Sequence, residues 1–252
     1  AVTDNQGATS PGAIQQIVLG EVNEFVQRYR AESRLPVEMA VRMRFNPALE
    51  PSWFGSLMEV VNNITMLSII LTGAALIRER EHGTVEHLLV MPVTPTEIML
   101  AKVWSMAGVV LLAASVSLTV VIQGALRVPI EGSIALFLVG TTLHLFATTA
   151  MGIFMATVAR SMPQFGLLLM LTMMPLEMLS GGMTPRESMP AGVRTLMSLA
   201  PTTHFTELSQ AILYRGAGLE VVWTSFVALF LIGAVLFALS LARFRKAIAQ
   251  MA

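Results

Sequence analysis

The chain has 252 residues, of which 54% are hydrophobic and 13% charged, with a mean hydropathy of +0.69. Soluble domains carry about 25% charged residues, so this chain lacks the polar surface an ordinary soluble enzyme needs. Its 16 basic and 16 acidic residues cancel, and it has no cysteine. That argues against a nucleic-acid binder, which needs a basic face, and removes disulfide scaffolds, thiolate metal sites and cysteine nucleophiles.

Charge is uneven along the chain. Residues 1–50 hold 11 charged residues and the remaining 202 hold 21, which predicts a water-exposed segment followed by a membrane domain. The chain begins with Ala1, not methionine, and shows no signal peptide, so it reads as a fragment or a processed form. Ile14, Ile17, Val18, Val22, Phe25, Val26 and Tyr29 recur at helical spacing and predict an amphipathic helix. Val37, Met39, Val41, Met43 and Phe45 alternate with Glu38, Ala40, Arg42 and Arg44 and predict a half-buried strand. A single strand cannot stand alone, so its partners are expected either upstream of Ala1, in which case residues 1–53 are the C-terminal part of an α/β domain, or on another chain.

A helical bilayer span takes about 20 apolar residues. Five stretches qualify, at about 54–77, 99–126, 132–159, 162–182 and 221–243, the fourth interrupted by Pro163 and Pro175. Backbone groups in lipid must be paired within the segment, so these are helices, and residues 54–252 are expected to form an all-α polytopic membrane domain. Residues 183–220 carry Pro185, Pro190 and Pro201 and two apolar stripes: Val193, Leu196, Met197 and Ala200, then Phe205, Leu208, Ala211 and Ile212. They predict short helices lying at the membrane surface or re-entering it.

Positive charge marks the cytoplasmic side. Arg78, Arg80, Lys102, Arg160, Arg243, Arg245 and Lys246 would lie on one side; Arg127, Arg186, Arg194 and Arg215, with Arg42 and Arg44, on the other. The margin is narrow and favours a cytoplasmic C-terminus.

Residues 78–97 run Arg-Glu-Arg-Glu-His-Gly-Thr-Val-Glu-His-Leu-Leu-Val-Met-Pro-Val-Thr-Pro-Thr-Glu. The stretch is too charged for lipid. Thr84 can cap a short helix with Glu86 in its first turn, and Pro92 stops it. A short helix with apolar Leu88, Leu89 and Met91 suits either the membrane surface or a groove on a partner.

This run resembles the signature of type-2 ABC exporter permeases, in the subgroup with a large periplasmic domain between the first two spans. Further matches are Arg44-Phe45-Asn46-Pro47, Trp53, residues 180–185 (Ser-Gly-Gly-Met-Thr-Pro), Ser188-Met189-Pro190, Pro201, His204-Phe205 and Arg215-Gly216. The resemblance implies that the five spans are the second to sixth of six and that residues 1–53 end a periplasmic domain. It places the C-terminus in the cytoplasm of a bacterial inner membrane. It implies a coupling helix at about 84–91 seated in an ABC ATPase, with Arg78, Glu79, Arg80, Glu81, Gly83, Thr84, Glu86, Leu88, Leu89 and Pro92 as ATPase-coupling residues. It also implies a second permease copy or paralogue as a dimer partner, and a periplasmic adaptor as a further one.

No ATP site is visible in the chain itself. A P-loop needs Gly-Lys-Ser/Thr, and the two lysines, Lys102 and Lys246, stand in Ala-Lys-Val and Arg-Lys-Ala. No cofactor is expected in this chain; ATP and Mg²⁺ would belong to the partner ATPase. Metal binding and hydrolysis find no support: His82 and His87 are five residues apart, about 140° round a helix, and Ser180-Gly181-Gly182 is no nucleophile elbow. Glu59, Asn62, His144 and Glu177 fall inside spans and are candidates for a translocation path. The plainer reading is interfacial placement for Glu59 and Glu177 and an interhelical hydrogen bond for His144. The function expected is an ATP-driven exporter permease. The alternatives are an ion-coupled secondary transporter, for which inverted repeats are not visible, and a non-transporting membrane assembly factor.

Overall fold

The computed structural model describes residues 20–22, 24, 51–82 and 93–249. The expected strand at 37–45 and the coupling helix at 84–91 lie outside the described residues, as does most of the expected amphipathic helix, of which residues 20–22 and 24 are helical and exposed. Among the described residues there is no strand.

From Pro51 on, the described residues form these α-helices in order: α1 (Pro51–Glu81), α2 (Pro95–Val116), α3 (Ile134–Val158), α4 (Met162–Met178), α5 (Ala191–Met197), α6 (Pro201–Leu213) and α7 (Leu219–Ala249). A wide turn, Ser117–Ala125, prolongs α2, closing with a bond from Leu126 N to Val121 O, five residues back. Four stretches are long and apolar enough to cross a membrane: Gly55–Glu81, Pro95–Ala125, Ile134–Val158 and Leu219–Lys246. The fourth expected span, 162–182, is shorter than expected. Helix α4 has 17 residues and ends at Met178, about 26 Å against a hydrocarbon core of about 30 Å. The chain then turns through Gly181, whose φ of +99° suits glycine.

Helix α3 is the hub. It packs against α2, α4, α6 and α7. Small residues let it do so. A Cβ on Gly152 would come 2.7 Å from the Ile69 carbonyl oxygen of α1, and one on Gly140 would come 2.7 Å from the Leu208 side chain of α6. A core of Ile69, Leu76, Ile77, Met99, Val103, Ile153, Phe165 and Phe244 fills the end of the bundle where α1 finishes and α2 begins. The outward faces of α2, α4 and α7 remain apolar, with Leu112, Leu171 and Phe230 exposed. In water such faces would drive association; in a bilayer they meet acyl chains.

The stripes of 183–220 form helices, as expected. Phe205, Leu208 and Ile212 are fully buried. So are Thr202, Thr203, Thr206 and Ser209, nearly or wholly, so α6 is enclosed on most of its surface and not laid on top of the bundle.

Candidate functional site

The last turn of α1, Arg78–Glu81, ties four helices together. Glu79 forms an ion pair with Lys102 of α2. Arg80 donates from Nη1 to the Ala156 carbonyl at 3.3 Å and from Nη2 to the Ala159 carbonyl at 2.6 Å, at the C-terminal end of α3. Glu81 Oε1 accepts from the Met162 N–H, the first of α4, at 3.3 Å. A cation at a helix C-terminus and an anion at a helix N-terminus both complement the peptide dipoles. The run thus places its charges where three neighbouring helix segments need them. Arg78 is exposed.

The same end is fastened at two further points. Arg245 of α7 donates to Thr96 Oγ1 at 3.1 Å, and the Arg243 guanidinium lies 5.7 Å from the Phe154 ring centre. Helix α2 opens with a capping box: the Glu97 N–H donates to Thr94 Oγ1 at 3.3 Å, and the Thr94 N–H donates to Glu97 Oε2 at 2.7 Å. Gly83, Thr84, Glu86, Leu88, Leu89 and Pro92 lie outside the described residues.

Deeper in the bundle a polar seam joins α1 to α3. Thr65 Oγ1 lies 3.3 Å from the Val61 carbonyl and shares a 2.8 Å hydrogen bond with His144 Nε2. Ser68 Oγ donates to Thr148 Oγ1 at 2.7 Å, and Thr148 passes a bond to the His144 carbonyl at 3.0 Å. The His144 ring stacks on Phe205 of α6 with centroids 3.9 Å apart. The interhelical hydrogen bond considered for His144 is therefore made. Glu59 is exposed and accepts from Asn63 Nδ2 at 2.9 Å. Asn62 is half-buried. The four sequence candidates do not form one cluster: His144 pairs with Thr65, six residues beyond Glu59 along α1 and about 9 Å deeper.

At the other end of the bundle Arg186 pairs with Glu207 of α6, and His204 Nε2 donates to the Ser198 carbonyl at 2.8 Å. Gln210 Nε2 donates to the Gly181 carbonyl at 3.3 Å, holding the turn after α4 against α6. Burial pushes the Tyr214 phenol above its ordinary value, so it stays neutral.

Sequence reasoning missed Thr65, Ser68 and Thr148 as members of a seam, and the role of Arg80 as a helix cap. A signal for the seam was present. Thr65, Ser68 and Thr72 fall at i, i+3 and i+7, as do Thr141, His144 and Thr148, which marks one polar stripe on each of two helices.

Four helices long and apolar enough to cross a membrane, packed around α3, are the architecture of a multi-pass membrane protein. A family model, the ABC-2 type transporter, matches residues 14–214. The chain is 61% identical over 248 residues to the inner membrane transport permease YhhJ of Escherichia coli K12, covering 98% of this chain and 66% of that protein. It is 30% identical over 244 residues to the probable multidrug ABC transporter permease YbhR of the same strain, covering 96% and 65%. A similar match, at 29% over 246 residues covering 94% and 63%, is to the probable multidrug ABC transporter permease YbhS.

The chain belongs to the ABC-2 type transporter permease family. With four candidate spans it is a multi-pass inner-membrane protein. It spans just under two thirds of the length of the relatives named here.

Proposed function

We propose that this chain is the membrane-spanning part of an ATP-driven exporter that moves an amphiphile (a drug, a lipid or a similar molecule) outward across the inner membrane. The end carrying Arg78–Glu81 would face the cytoplasm, where residues 84–91 seat in an ABC ATPase that binds ATP and Mg²⁺. A second permease copy or paralogue completes the pathway, and a periplasmic adaptor is a further partner. The observation that carries this reading is the four-helix tie at the last turn of α1, immediately before that segment. When the ATPase pair closes on nucleotide, displacement of the segment would reach α1 and α2 through the backbone, and α3 and α4 through Arg80 and Glu81. Packed helices then shift between discrete arrangements, since close-packed interfaces are bistable. The names of YbhR and YbhS support a multidrug cargo.

The test is to replace Leu88 by Asp and Glu86 by Ala in the full-length permease, then measure co-purification of the ATPase and transport in proteoliposomes. The reading expects both to fall together by about tenfold or more, as for loss of a buried anchor. Survival of both would overturn it.

A further inference from the structure

Helix α6 begins in the middle of the bundle. The pairs Gly140 with Leu208 and His144 with Phe205 set an antiparallel register between α3 and α6. One further turn puts Thr202 beside residues 147–148, near the midpoint of the 25-residue α3. There Ala200, Pro201, Thr202 and Thr203 are all buried. Ala200 offers no side-chain cap, and no acidic residue stands in the first turn. Helix geometry leaves the Thr202 and Thr203 N–H groups without an intrahelical acceptor, and the positive end of the peptide dipoles converges on them.

A second observation is independent of the helix end. The hydroxyls of Thr202, 4% exposed, and Thr203, fully buried, have no hydrogen-bond partner among the described residues. Buried threonines elsewhere bond the carbonyl four residues back, as do Thr65, Thr72, Thr141 and Thr149. At the second and third positions of a helix no helical carbonyl lies upstream. A buried polar group without a partner is costly, and in the first turn of α6 two hydroxyls and two N–H groups stand at mid-bundle with no acceptor among the described residues. All four can donate, and none carries charge. The guest that fits is an acceptor-rich anionic group, the recurring occupant of interrupted helix ends at membrane depth.

We propose that the first turn of α6 binds the phosphate or carboxylate head of an amphiphile handled by the permease. This rests on the exporter reading and adds the charge class of its cargo. Thr202 and Thr203 are the residues that read the head, through their hydroxyls and backbone N–H groups.

The experiment measures equilibrium binding of decyl phosphate, decanol, decyltrimethylammonium and inorganic phosphate to the intact full-length permease in nanodiscs, without ATPase. Decyl phosphate is expected to bind about tenfold more tightly than decanol or decyltrimethylammonium, the effect of one charge-assisted hydrogen bond. The pair Thr202→Val and Thr203→Val is expected to abolish that preference. The pair Thr202→Ser and Thr203→Ser, which keeps both hydroxyls, is expected to retain it, and size-exclusion profiles check that both variants fold. No preference for decyl phosphate, or a preference untouched by the valine pair, overturns the proposal and leaves a water-filled turn. Inorganic phosphate binding as tightly as decyl phosphate overturns the amphiphile source. Threonine-dependent binding without ATP-dependent transport would instead count against the exporter reading alone, because binding is read without the ATPase.

Discussion

The last turn of α1 and the first turn of α6 handle polar groups in opposite ways. In α1, Glu79, Arg80 and Glu81 each meet a partner from a different segment: Lys102, the carbonyls ending α3, and the N–H opening α4. In α6, the Thr202 and Thr203 hydroxyls meet none among the described residues. A turn whose groups are all paired holds helices in fixed relation, which suits the transmission of displacement. A turn with unmet donors has free energy to gain from a guest, which suits recognition. On the proposed reading, one end of the bundle transmits displacement and its middle recognises cargo.

Arg80→Met breaks the first half of that comparison most directly. It removes two charge-assisted bonds to the end of α3, and the expected loss is about 2 kcal/mol of stability, read as a lower unfolding midpoint in detergent. Transport per ATP hydrolysed should fall further than the ATPase rate, because the segment before Gly83 would move without carrying α3. Equal falls in both would show that Arg80 is a structural cap only.

Ser68→Ala measures, at smaller scale, what one paired group in the α1–α3 seam contributes. It deletes the bond to Thr148 but leaves Thr148 bonded to the His144 carbonyl. Interhelical hydrogen bonds of this kind average about 0.6 kcal/mol in membranes. A shift in unfolding free energy near that value, with transport unchanged, is expected. A loss of several times that amount would mark the seam as more tightly coupled than pairwise bonds allow.

The long apolar runs were legible in the sequence because hydropathy at this length has one solution, and α1, α2, α3 and α7 appear where charge-free stretches predict them. The stripes at Val193 and Phe205 likewise predict α5 and α6. Three things were not legible. Helix α1 continues past the apolar run to Glu81 because its charges find partners up to 81 residues away, which no local pattern announces. Helix α6 buries Thr202, Thr203, Thr206, Ser209 and Gln210, and the cover is supplied by segments distant in sequence, as where Gln210 meets Met58 of α1 and the Gly181 carbonyl. The α4 region is as apolar as a span, but Pro175 and the turn at Gly181 end it early. Of the candidate path residues, His144 was visible as a lone polar group in an apolar run; its partner Thr65 lies 79 residues away and depends on the packing of α1 beside α3.

The central claim is that the Arg78–Glu81 turn stands on the cytoplasmic side, within reach of a nucleotide-driven partner. These 252 residues contain no cysteine, so single cysteines report cleanly on sidedness. In intact cells, Arg78→Cys should resist a membrane-impermeant maleimide until the inner membrane is permeabilised, while Glu187→Cys should react from outside. Labelling of Arg78→Cys in cells with a sealed inner membrane, with Glu187→Cys protected, would contradict the account.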